Sequence, residues 1–188
     1  MLNTDHTNLF YAPSSAYSKP IQITQSSRLI LRTWHEADAT KAFEFYGDPE
    51  VSKFIGNGRP AKSVEHVQSI LQKLIDHHAQ SGFCPWAVED AASGKLIGIC
   101  GIHTFNPACE PELGFRIARA WWGRGIATKA SKLALVHGRD KLSLNKISAL
   151  THQENVATQK LLVNVGFRLI GATEAEGRAW LRFEIQST

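Results

Sequence analysis

Apolar and polar positions alternate along this chain in two rhythms, and the switch between them separates helices from strands. Val67, Ile70, Leu71, Leu74 and Ile75 recur at the helical period. Ser63 ahead of them is a good N-cap and Gly82 behind them a good terminator, so the spacing predicts a long helix over 63–82. Ala39, Ala42, Phe43 and Tyr46 give the same spacing over 36–46, and Asp48-Pro49 closes that helix and starts a short turn. Residues 28–32 are aliphatic enough for a first strand. Residues 83–89 and 95–103 flank the polar loop Asp90-Ala91-Ala92-Ser93-Gly94 and read as a hairpin. The second arm of that hairpin, over 96–102, is apolar on both faces, which marks a central strand.

Beyond the hairpin, 112–117 is a strand that runs into a glycine turn and a helix over 125–139. A strand over 146–151 precedes a helix over 155–165 that Asn155 caps and Gly166 ends. Strands over 167–171 and 178–185 close the chain as a second hairpin. The predicted order is βααβββαβαββ, a mixture of helices and strands that excludes a purely α or purely β fold.

Residues 1–27 are rich in Asn, Thr, Ser and Gln, with Pro13 and Pro20, and bury too little to order themselves. They read as a flexible N-terminal arm, leaving a single domain over 28–188. No basic leader, sustained apolar run or membrane-length segment is present, so a cytoplasmic protein without membrane contact is expected. Cys84, Cys100 and Cys109 are odd in number and lack paired spacing, so neither a disulfide framework nor a zinc ribbon is expected. His77, His78 and His103 lack partners at metal-ligand spacing and read as surface or capping residues, so no metal is assigned.

The net charge of +4 is mild, but its distribution is not. From Leu113 to Arg139 there is no Asp or Glu, while Arg116, Arg119, Arg124, Lys129, Lys132 and Arg139 all fall in that stretch. Within it Trp121-Trp122-Gly123-Arg124-Gly125-Ile126-Ala127-Thr128 places two glycines immediately before an amphipathic helix. Glycines let the backbone turn tightly against an anion, and the unpaired N–H groups of the helix then serve as donors. This charge pattern suits a local site for a phosphorylated small molecule better than a nucleic-acid face.

Trp122-Gly123-Arg124-Gly125-Ile126-Ala127 resembles the acyl-CoA pyrophosphate loop of the GNAT acetyltransferase superfamily, with Trp122 where the family usually has Gln or Arg. The similarity continues through Arg28-Leu29-Ile30-Leu31-Arg32, Asp48-Pro49-Glu50-Val51, Trp86-Ala87-Val88, Gly94-Lys95-Leu96-Ile97-Gly98, Glu112-Leu113-Gly114-Phe115, and Asn155 followed by Gly166-Phe167. Together these resemble the RimJ/RimL-type branch. The resemblance implies an α/β (α+β) GNAT fold, whose central, mixed, mostly antiparallel twisted sheet splays at the acyl-CoA site and is flanked by about four helices. It also implies an acyltransferase using acetyl-CoA as cosubstrate.

Residue by residue, the resemblance gives Glu112 the place of a base facing the acceptor amine. It gives Phe115, Arg116 and Ile117 the place where main-chain groups meet the cofactor's arm and the thioester carbonyl. Trp122, Gly123, Arg124, Gly125, Ile126, Ala127 and Thr128 would hold the pyrophosphate. Asn155 and Thr158 match a pattern that lines the cofactor's arm, with the Thr158 hydroxyl near the leaving sulfur. Many family members carry a tyrosine acid later in that helix, where this chain has Leu162. Trp34 and Trp121 are candidates for shaping the acceptor pocket, and Glu174-Ala175-Glu176-Gly177 gives a mildly acidic rim that favours a cationic acceptor.

The expected activity is acetyl transfer to a primary amine, a protein N-terminus or a small molecule, by direct attack in a ternary complex. The alternative is a non-catalytic acyl-CoA-binding or regulatory module. Relatives occur as monomers and as homodimers, and both states remain open.

Overall fold

The computed structural model describes residues 19–104, 110–175 and 177–186. Its elements in chain order are β1 (Gln22–Gln25), β2 (Leu29–Arg32), α1 (Ala39–Tyr46), α2 (Pro49–Ser52), α3 (Val64–Ser81), β3 (Pro85–Asp90) and β4 (Leu96–His103). These are followed by β5 (Glu112–Ile117), α4 (Ile126–Leu142), β6 (Lys146–His152), α5 (Val156–Asn164), β7 (Arg168–Ala175) and β8 (Arg178–Gln186). Short 3-10 turns over Glu36–Asp38 and Arg119–Trp121 lead into α1 and the glycine loop.

All eight strands join one sheet in the order β1-β2-β3-β4-β5-β6-β8-β7. Every neighbouring pair is antiparallel except β5 with β6. The apolar run predicted as a central strand is β4, buried along Leu96 to Ile102 between β3 and β5. Its alternation divides the two layers. Cys100 lies 3.9 Å from Ser131 of α4 and Ile102 packs beneath Gly138 of α4, where a Cβ would collide with it. The opposite face carries α1, whose Tyr46 ring sits under Arg116 of β5.

Caps behave as the sequence implies. The Ser63 side chain accepts from the His66 N–H, and Gly82 ends α3 in the left-handed conformation. Three elements differ from expectation. β1 lies inside the stretch read as an arm, because its order comes from main-chain pairing with β2, not from burial, and Gln- and Thr-rich composition conceals such an edge strand. Asp48 caps the one-turn helix α2 where only a turn is predicted, its carboxylate accepting from the Glu50 N–H at 2.8 Å. β7 continues to Ala175 because β8 pairs with it along that length, with a bulge between Leu169 and Gly171.

Candidate active site

The sheet opens beside β5. On one side this strand is paired with β4 from Glu112 opposite His103 to Ile117 opposite Gly98. On the other it meets β6 at a single pair, Glu112 with Ser148, where the Ser148 N–H donates to the Pro111 carbonyl at 2.8 Å. Past that point the two parallel strands diverge. Because they run the same way, the loop leading to α4 and the start of α5 lie at the same end of the sheet, on either side of the gap.

Main-chain groups of an antiparallel strand point alternately to its two neighbours. The Ala118 N–H donates to the Ile97 carbonyl at 2.8 Å, so the even-numbered residues of β5 bond to β4. Those of Phe115 and Ile117 therefore turn into the gap, and the Ile117 carbonyl is occupied by the Trp122 indole N–H at 2.7 Å. Trp122 thus ties the loop to the end of β5. Arg116 differs from its two neighbours: its carbonyl lies against Gly98 of β4, so its main chain belongs to that ladder.

The loop has the geometry of an anion cradle. Gly123 and Gly125 adopt φ of 73° and 71°, a conformation costly for residues with a Cβ, and nothing lies within 4 Å of the space a Cβ would take. Gly125 is the N-cap of α4, and no side chain caps the helix there. The first main-chain bond into the helix is from Lys129 N–H to the Gly125 carbonyl, so Ile126, Ala127 and Thr128 keep outward N–H groups. No acid occupies the first turn, and Arg124 lies over the Trp121 ring at 5.3 Å. Across the gap, Asn155 caps α5 by accepting from the Thr158 N–H at 3.1 Å. The Thr158 hydroxyl has no protein partner among the described residues. Thr151, 2% exposed near the end of β6, also has an unpartnered hydroxyl. Leu162 is core, at 1% exposure.

The other face of the gap is built from side chains. Glu112, Gly114 and Arg116 alternate onto it from β5. Burial pushes the Glu112 carboxyl above its usual range, and the positive charge of Arg182 offsets only part of this. Arg182 is itself held by Glu110 at 2.6 Å, in a network where Lys146 meets Glu110 at 2.7 Å and Glu184 at 2.8 Å. Phe54, just after α2, stacks on His152 at 5.3 Å, and His152 meets Trp180 edge-on at 5.8 Å. Arg178 pins the segment after α2 to β8 by donating to the carbonyls of Gly56 and Lys53 at 2.7 and 2.8 Å.

The structure thus brings Glu112, Phe115 and Ile117 to the gap and sets the glycine loop and the Asn155–Thr158 turn on either side of its open end. Trp34 lies elsewhere: it is 5% exposed, with its indole N–H on the Pro85 carbonyl at 2.8 Å, so its ring is core. Trp121 belongs to the 3-10 turn before the loop and carries Arg124. The aromatic contact chain of Phe54, His152 and Trp180 was not predicted from the sequence: its members come from the segment after α2, β6 and β8, and no local pattern announces that they touch.

Cys84 and Cys100 are buried, which pushes both thiols up to about 12, whereas Cys109 lies outside the described residues. His77, His78 and His103 are half-buried, His78 in the last turn of α3, and burial pushes His103 down to about 4. Among the described residues no group of three or more His, Cys, Asp or Glu is placed to hold a metal, and no helix is long and apolar enough to cross a membrane.

An acetyltransferase (GNAT) domain matches residues 28–168. The uncharacterized N-acetyltransferase p20 of Bacillus licheniformis is 28% identical over 147 residues, covering 78% of this chain and 82% of that protein. A GNAT-family acetyltransferase from Bacillus anthracis shares the fold at a TM-score of 0.75 and 20% identity, over 86% of this chain and 96% of that one. Mycobacterium smegmatis RimJ, solved in complex with CoA-disulfide, does so at 0.71 and 24% identity, over 85% of this chain and 82% of that one. A domain match of that extent, on a sheet of this topology, makes the chain a member of the GNAT acetyltransferase family, with RimJ among its structural neighbours.

Proposed function

We propose that this chain is an N-acetyltransferase that passes the acetyl group of acetyl-CoA directly to a primary amine, of a protein N-terminus or a small molecule, within a ternary complex. The observation that carries this reading is the gap after Glu112, which offers main-chain groups along one edge and an uncapped helix N-terminus at its end. Coenzyme A fits the donor half. Its pyrophosphate would meet the N–H groups of Ile126, Ala127 and Thr128, each favourable contact with the helix end worth about 0.3–1 kcal/mol. Its arm would pair with the Phe115 and Ile117 main chain and approach Thr151, Asn155 and Thr158. The CoA-disulfide complex of the RimJ neighbour supports this use of the fold.

In the reaction the amine nitrogen forms a bond to the acetyl carbon as the carbon–sulfur bond breaks. Glu112 takes the proton that the nitrogen must lose, directly or through a water; its raised pKa makes it a better base than an ordinary carboxylate. The N–H of Phe115 or Ile117 stabilises the carbonyl oxygen as it gains charge, a contribution on the order of a hundredfold in rate. The Thr158 hydroxyl hydrogen-bonds the departing thiolate. Direct attack is favoured over a covalent enzyme intermediate because the thiols of Cys84 and Cys100 stay protonated at neutral pH.

A second reading, a module that binds acyl-CoA without turnover, is favoured by one observation: Leu162, where many relatives carry a tyrosine acid, is part of the core. Thiol release from acetyl-CoA over a panel of amines and peptides tests the two. Release that depends on both acetyl-CoA and an amine is the expected result. Thermal stabilisation by CoA with no release on any acceptor would establish the binding module, and no stabilisation by CoA would overturn both.

A further inference from the structure

Arg32 is buried in this sheet and Arg116 is half-buried, and the fold treats their charges differently. Arg32, 9% exposed, meets Asp38 at 2.8 Å and Glu89 at 2.7 Å, so its charge is compensated from two sides. Arg116 lies with its guanidinium 4.3 Å over the Tyr46 ring and, among the described residues, has neither an ion pair nor a hydrogen bond. Burial depresses its pKa, with only the Tyr46 phenol opposing the shift. A guanidinium has N–H donors fixed in one plane, and a ring beneath it compensates desolvation only in part. A half-buried guanidinium with no anion beside it is free to pair with one that a ligand brings.

We infer that Arg116 is a specificity-determining residue that binds a carboxylate on the acceptor, so that the amine acetylated by this chain belongs to a small amino-acid-like molecule. This rests on the acetyl-transfer reading above and adds the acceptor's class. Arg116 shares its strand face with Glu112, four residues away, which puts their Cα atoms about 13 Å apart at the rise of a β-strand. Both side chains are long, and Gly114 between them carries none. The His103 ring fills the place beside Gly114, 3.3 Å from where a Cβ there would stand, so it lies between carboxylate and guanidinium. A compound with its amine at Glu112 and an anion a few bonds away would lie across that ring.

The anion is a carboxylate because the other arginines of this face are already engaged: Arg178 on the Gly56 and Lys53 carbonyls, Arg182 on Glu110. A phosphate gathers several donors, whereas one planar guanidinium matches one carboxylate in a two-point contact. Tyr46 holds that plane from below, and its phenol, pushed up to about 12 by burial, stays neutral. A cation at this position reverses the expectation, drawn from the Glu174–Gly177 turn, of a cationic acceptor; Glu176 of that turn lies outside the described residues.

The test compares each proteinogenic amino acid with its own carboxamide, in thiol release from acetyl-CoA and in calorimetric binding to the CoA-loaded protein. The wild-type chain is expected to prefer the free acid over the amide by roughly ten- to hundredfold. Arg116→Met, which keeps an apolar stem over Tyr46, should erase the preference, and Arg116→Lys should restore part of it; CoA affinity of each variant verifies the fold. Equal use of acid and amide by the wild type, a preference that survives Arg116→Met, or a preference for peptide N-termini would overturn the inference while leaving acetyl transfer intact. If no acceptor releases thiol, acetyl transfer fails, and calorimetry still decides the carboxylate: binding of acid but not amide, lost in Arg116→Met, upholds it, and its absence overturns it.

Discussion

The two halves of the gap are made of different materials. The half proposed here for the donor is main chain from one stretch, running from the end of β5 through Gly123 and Gly125 to the first turn of α4, with the capped turn of α5 opposite. The half proposed for the acceptor is side chains from elements remote in sequence, such as Phe54, His152 and Trp180 in one aromatic contact chain. A main-chain site needs only the right local conformation and tolerates changes around it. A side-chain site is defined by the identity of each residue, so this is where specificity resides.

Substitutions that strike one half and spare the other sharpen that contrast. The largest effect is expected at Glu112→Gln, which should lower kcat by a hundredfold or more, on the order of what a positioned base contributes, with CoA affinity retained. Its pH dependence fixes the cause. Because burial raises the Glu112 pKa, the wild-type rate should fall on acidification at a pH above the ordinary glutamate range. The deficit of the variant should be greatest where the wild-type carboxylate is ionised and should vanish below that pKa. An unaltered acid limb in Glu112→Gln would remove this residue as the base.

Next is Gly125→Glu, which combines a disfavoured φ with a negative charge at the helix N-terminus. CoA affinity should fall on the order of a hundredfold while the fold, read by circular dichroism, is retained. Retained affinity would break the assignment of the loop to the donor half. Arg178→Ala removes the two bonds that hold the segment after α2 against β8. It should raise the acceptor KM by roughly tenfold with the KM for acetyl-CoA unchanged; a rise in both would show that the halves are not separable. Thr158→Ala is the smallest, a loss in kcat of about threefold to tenfold without loss of CoA affinity. An unchanged rate would return this residue to the first turn of α5 alone.

The same contrast decides how much the sequence discloses. The loop was legible because positive φ demands glycine at Gly123 and Gly125, and a helix start leaves a Ser63-like or Asn155-like cap at a fixed offset. The succession of strands and helices along the chain after β2 followed from the two periodicities, and the central place of β4 from its unbroken apolar run. What escaped was what depends on partners. β1 is ordered by the edge of β2 and carries no apolar signature of its own. Arg178 and Gly56 are 122 residues apart, and no local pattern announces that they touch. Arg116 reads as one more basic residue near a phosphate loop until the structure shows its side chain on the Tyr46 face and its main chain bound to β4.

Direct transfer within one complex of donor and acceptor is the claim that joins the two halves. It is tested by initial rates of thiol release measured while acetyl-CoA and an accepted amine are varied together. Double-reciprocal lines that intersect are the predicted result, since both substrates must occupy the gap at once. Parallel lines, the signature of an acetylated enzyme formed before the amine arrives, would contradict it.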